Sequence, residues 1–243
     1  VIDYGLLISI IIAFGVPTML ARWWPVHAPD GKRVDFLDIV MVPALIGLVV
    51  GRITTLALDD PNSIGSVSDM VIIRSGVEFW PGVVAASAAV AWTARRNGYP
   101  PMAMLARLGP LAMIGYAGYE AACILRDGCF GPATPVGLRP PGLSTTMLPI
   151  GLLMAAGVIA AAVGLRRSVG RHPDEFSDTV ALACAALAVA VVRAVGSVWL
   201  PHVGDGLTRQ HITSIGVAAI AAAVVGGALW RARQPTISHL QRQ

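Results

Sequence analysis

Charge is scarce in this sequence. Only 13% of its 243 residues are Asp, Glu, Lys or Arg, where a soluble domain carries roughly 25%. So few ionic groups cannot clothe a water-soluble fold of this length, and the deficit fits a chain solvated mostly by lipid. Aromatic residues are also sparse, at 6%, and no basic run is interleaved with them. The formal charge of +4 therefore does not describe a nucleic-acid groove, and no nucleic-acid partner is expected. Cysteine is limited to Cys123, Cys129 and Cys184, too few and too poorly spaced for a zinc site, which needs paired ligands at short spacing. Cys123 and Cys129 are either a disulfide of an oxidising outer compartment or two thiols of a packed interior. Gly-x-Ser-x-Gly and His-Glu-x-x-His are absent, and Gly65-Ser66 with its neighbours reads as turn chemistry rather than a phosphate cradle. No metal and no cofactor is expected.

What the chain does have is apolar length. Hydrophobic residues make up 55% of it, gathered into runs long enough to cross a bilayer, for which a helix needs about 20 mostly apolar residues. Seven such runs are read, at about 4–23, 39–56, 76–94, 101–125, 147–165, 176–200 and 212–230. The first is too long for the apolar core of a signal peptide, and no small-residue cleavage site follows it. A Gly/Pro-rich stretch at 127–142 cannot be helical throughout. No segment remains for a separate soluble domain, so residues 1–243 are expected to form one membrane domain, all-α and polytopic.

Orientation follows from the joints. Those after the first, third, fifth and seventh runs hold Arg22, Lys32, Arg33, Arg95, Arg96, Arg166, Arg167, Arg171, Arg231, Arg233 and Arg242. The alternate joints hold only Arg52, Arg74, Arg126, Arg139 and Arg209. The positive-inside rule puts the richer set in the cytoplasm, with the N-terminus outside and the C-terminus inside. Trp23, Trp92 and Trp230 at the inner ends, and Trp80 and Trp199 at the outer ends, sit where aromatic belts belong. The runs Ala155-Ala156-Gly157, Ala160 to Ala162 and Ala221 to Ala223 are expected to be packing faces, because small residues let helix backbones approach in lipid.

Within the apolar runs two ionisable residues stand out, Glu120 in the fourth and Arg193 in the sixth. A charge inside a membrane helix is costly, so it faces the bundle interior and takes a partner. The topology gives both the same depth, and they are expected to pair. Such a pair either fixes helix register or lines a polar cavity open to the outer leaflet. His202 and His211 flank Asp205 in the last outer joint. Their spacing matches no metal motif, and they read as exposed loop histidines.

Several short matches run along the chain: Tyr4-Gly5-Leu6, Gly51-Arg52-Ile53, Gly76-Val77-Glu78-Phe79-Trp80-Pro81-Gly82, Pro110, Arg193, and Leu207-Thr208 with Ser214. In these the chain resembles the prolipoprotein diacylglyceryl transferases. The resemblance implies a bacterial inner-membrane protein with an outer-leaflet cavity for phosphatidylglycerol, whose diacylglyceryl group passes to a lipobox cysteine thiol. It also makes Tyr4, Trp80, Glu120, Arg126 and Arg193 the candidate lipid-binding or cavity residues. The departures from the family pattern fall on its chemistry. With Pro110 in register, the family's signature Arg falls on Glu120, its Asn on Cys123 and its closing Glu on Gly128. The family's His falls on Trp80, the Glu after the sixth-run Arg on Ser197, and a later Gln on His211. The family's His-Pro-x-Gln-Leu-Tyr-Glu segment belongs between Pro141 and Pro149, a stretch with no His and no acid.

Replacing a cation by Glu120 reverses a charge beside Arg193, so a phosphate there would meet repulsion. The expectation is a degenerate relative that binds membrane lipid or serves as an accessory subunit among other membrane subunits. The alternative is a working transferase using Tyr4, Arg193, Cys123 or Cys129. A small transporter ranks last, because the chain shows no repeat signature.

Overall fold

The computed structural model describes residues 4–59, 61–63, 77–126, 129–140, 142–171, 177–200 and 207–233. Among them are seven α-helices: α1 (Tyr4–Leu20), α2 (Phe36–Asp59), α3 (Phe79–Arg96), α4 (Pro101–Ala121), α5 (Ile150–Arg171), α6 (Asp178–Ser197) and α7 (Arg209–Arg233). The chain is an all-α polytopic membrane protein. Five of the helices (α2, α4, α5, α6 and α7) are long and apolar enough to cross a membrane, and α1 has a shorter apolar core at Leu7–Leu20. Large apolar side chains face outward along the bundle, among them Val42, Val84 and Ile220. Such a surface suits hydrocarbon and would be an aggregation patch in water.

Lipid offers no hydrogen bonds, so the helices satisfy their own polar groups. Thr18, Thr54 and Thr55 bond back to carbonyls one turn earlier in their helices, and Ser9 does the same while reaching Ala122 O. At the end of α3, Tyr99 N–H bonds to Ala94 O and Gly98 N–H to Arg95 O, while Gly98 turns at φ +76°. That left-handed residue closes the helix as a glycine at this position commonly does. Arg95 and Arg96 lie in the last turn, against the negative end of the helix dipole.

Two apolar centres hold the bundle. One joins Trp80, Met113, Ile114, Ala117, Val158, Ala162 and Val189 from α3, α4, α5 and α6. The other joins Phe36, Ile39, Val90, Ala94, Met104 and Leu111 with Val26 and Ala28. The last two belong to a small antiparallel hairpin, β1 (Val26–His27) and β2 (Arg33–Val34). The sequence treats this stretch as a plain joint. Arg107 fixes the hairpin to α4 through His27 O at 2.7 Å. The Gly/Pro-rich stretch is indeed not helical throughout: β3 (Ala133–Leu138) runs through it and bridges to Met147.

The small-residue runs pack less than expected. Ala155, Ala162 and Ala221 are buried, while Ala156, Ala160, Ala222 and Ala223 face outward. Consecutive helical residues point about 100° apart, so a contiguous run cannot share one face. Close backbone approach is made instead by glycines, as between α2 and α3. A Cβ at Gly47 would lie 2.6 Å from Gly82 O, and one at Gly51 would lie 2.6 Å from Glu78 O.

Candidate functional site

One end of the bundle collects most of the buried polar side chains. It is formed by the last turns of α2, α4 and α6 and the first turns of α3, α5 and α7. At its centre Arg193 Nη1 lies 3.3 Å from Glu120 Oε1 and 2.7 Å from Tyr116 Oη. The expected pairing of Glu120 and Arg193 forms. Both side chains are about nine-tenths buried, at 10% and 11% exposure. The guanidinium also lies on the Phe79 ring, 4.1 Å from its centroid, and Phe79 packs edge-on against Trp80 and tilted against Tyr116. An aromatic face attracts a cation, and more so away from water. Among the described residues Arg193 Nε is buried with no hydrogen-bond partner.

The helix period explains the assembly. Tyr116 and Glu120 are four residues apart on α4, and Arg193 and Ser197 are four apart on α6, so each pair shares a face. Ser197 Oγ lies 2.7 Å from His211 Nδ1 on α7 and 2.9 Å from Ala194 O. Trp80 Nε1 donates to Ser214 Oγ at 3.0 Å, one turn along α7 from His211. Nearer the rim, Arg209 donates to Glu78 Oε1 at 2.7 Å and to both Asp59 oxygens at 3.0 and 3.2 Å. That cluster ties α7 to α2 and to the residue preceding α3.

His211 corrects the sequence reading. It lies inside α7, half-buried and bonded to Ser197, because the helix begins at Arg209, three residues earlier than the apolar run implies. His202 and Asp205 lie outside the described residues. Of the named candidates, Glu120, Arg193 and Trp80 come together here. Tyr4 opens α1 with 70% of its surface exposed, and it bonds to neither Glu120 nor Arg193. Arg126 ends the 3-10 turn Ala122–Arg126, and its side chain lies outside the described residues. Tyr116 and Phe79 were not singled out from sequence. The Tyr116 to Glu120 spacing was the available signal for the first.

Beside this cluster Cys123 and Cys129 form a disulfide, so one of the two sequence readings of these cysteines holds. Their sulfurs and a Glu120 oxygen lie within 4.8 Å of one another. Joined to each other, the sulfurs are neither thiolate ligands nor free nucleophiles. The disulfide packs under α5, where a Cβ at Gly151 would lie 2.6 Å from Glu120 O and 3.3 Å from Cys129 Cβ.

The family model described as prolipoprotein diacylglyceryl transferase covers residues 1–225. None of the curated proteins matches the chain.

Proposed function

The chain belongs to the prolipoprotein diacylglyceryl transferase family, and from that premise we propose a member that keeps the fold and a lipid site but not the transfer reaction. It serves as a lipid-binding protein or as an accessory subunit of a membrane complex. The supporting observation is the neutralised charge of Arg193. Its charge is met by Glu120 at 3.3 Å and its Nη1 by Tyr116 at 2.7 Å. Removing a diacylglyceryl group from phosphatidylglycerol needs positive charge on the departing phosphate. Here the charge of Arg193 is already offset by a carboxylate in contact with it. Opposite charges at this distance interact by about 5 kcal/mol at an effective dielectric of about 20. A phosphate would have to displace Glu120 or remain beside it.

The Lys/Arg bias of the joints supports an outer-leaflet position for the Arg193 end of the bundle, the family supports a bacterial inner membrane, and a disulfide suits the outer side. In this reading the lipid sits at this end of the bundle, near Phe79, Trp80 and the polar groups of α4, α6 and α7.

The test is rescue of a bacterium depleted of its own diacylglyceryl transferase, with lipoprotein modification read by mass spectrometry. Expected is no rescue by protein shown to be expressed and membrane-inserted, together with co-purified lipid in native mass spectra. Diacylglyceryl-modified lipoprotein in that strain would overturn the reading.

A further inference from the structure

We propose that Ser197 and His211 are a nucleophile and base that open the carboxylic ester of a lipid held at this end of the bundle. The proposal rests on the lipid-binding reading above and adds a reaction to it.

The geometry begins with the short contact between two helices. Ser197 Oγ is 2.7 Å from His211 Nδ1 and 2.9 Å from Ala194 O. A serine in a helix ordinarily satisfies itself by bonding back to a carbonyl, as Ser9 does here. Ser197 has that bond within reach and an imidazole as well. When Nδ1 is unprotonated it is the nearer acceptor for the hydroxyl proton, which is the relation a general base needs to a nucleophile.

The second observation is the donor beneath it. Arg193 lies one turn back on the same face of α6. Its Nε is buried without a hydrogen-bond partner among the described residues, although Nη1 is engaged with Glu120 and Tyr116 and the guanidinium lies on the Phe79 ring. A buried N–H without an acceptor is costly to keep, and a ligand oxygen would satisfy it. The third observation is charge. Glu120 offsets Arg193 at 3.3 Å, so the site suits the uncharged carbonyl oxygen of an acyl ester better than a phosphate. Donors of this kind gain strength as negative charge develops on that oxygen.

The reaction balances with water as co-substrate. Ser197 Oγ attacks the ester carbonyl carbon, and its proton passes to His211 Nδ1. The developing oxyanion rests on Arg193 Nε–H. The bond from carbonyl carbon to the lipid's alcohol oxygen breaks, and the alcohol leaves with the proton from His211. Water then attacks the acyl-serine, gives its proton to His211, and releases the fatty acid as Ser197 regains its own.

The experiment treats the detergent-solubilised full chain with a fluorophosphonate, an ester-like phosphorus electrophile, and maps the adduct by tandem mass spectrometry. Expected is phosphonylation of Ser197, absent in Ser197→Ala. His211→Gln keeps a polar side chain against Ser197 but supplies no comparable base, and should slow labelling about 100-fold or more. It also guards against Ser197→Ala failing to fold. No adduct on Ser197 in monodisperse protein overturns the proposal, as does labelling of His211→Gln at the parent rate, which marks a structural contact. Native mass spectra of the same sample separate the two readings. Bound lipid with no adduct sinks the ester reaction alone, whereas neither lipid nor adduct sinks the lipid site with it.

Discussion

Replacing Glu120 by leucine strands Arg193 in the bundle with Tyr116 and the Phe79 ring as its remaining neighbours. The contact is 3.3 Å, between side chains 10% and 11% exposed, so solvent screens it little. The attraction of about 5 kcal/mol at an effective dielectric of about 20 is partly offset by the cost of burying both ions. Breaking such a pair from one side costs about 3–5 kcal/mol, whereas replacing both partners by apolar residues of similar size is often close to neutral. Glu120→Leu and Arg193→Met should each lower stability by that amount. The double variant should lose at most about 2 kcal/mol, giving a coupling of several kcal/mol. Unfolding of the purified protein in mixed micelles by increasing SDS, followed by tryptophan fluorescence, reads all four corners of the cycle. If the single losses simply add, to within about 0.5 kcal/mol, the ion pair does not exist as described. The argument that it cancels the charge a phosphate needs then goes with it.

The rim cluster should behave unevenly under the same assay. Arg209→Ala leaves the buried Glu78 carboxylate without its 2.7 Å partner and should cost about 1–3 kcal/mol, while Asp59→Asn, at an exposed acid, should cost about 0–1 kcal/mol. Ser214→Ala removes the acceptor of the buried Trp80 Nε1–H and should cost about 1–3 kcal/mol; a wild-type midpoint would mean that the indole finds another acceptor. Gly151→Ala sets a methyl 2.6 Å from the backbone oxygen of Glu120. It should push α5 from α4 at a cost of about 1–3 kcal/mol, visible as a shifted unfolding midpoint. Gly164→Ala on the same helix, with open space at its Cβ, should be neutral or slightly stabilising.

The membrane class was legible because hydropathy is a property of composition and run length, and neither depends on how the helices pack. The depth of Glu120 and Arg193 was legible for a related reason. A charge in lipid must find its opposite, and helix length alone fixes which residues share a level. The packing faces were not legible. Alanine runs identify small residues but not the direction each one points, and close backbone approach came instead from single glycines such as Gly47, Gly51 and Gly151, spread over two helices. The Ser197–His211 contact was hidden for the same reason. Fourteen residues separate its members, many of them in a polar joint, and only the docking of α7 on α6 brings the imidazole to the hydroxyl. Sequence by itself determined that this chain lives in a membrane and that its buried cation must meet a carboxylate, because burial energetics demand both whatever the packing. Which side chains surround that pair, and so what chemistry it can serve, was decided only by tertiary structure, because in lipid the rotation of each helix about its axis is set by its neighbours and not by its own sequence.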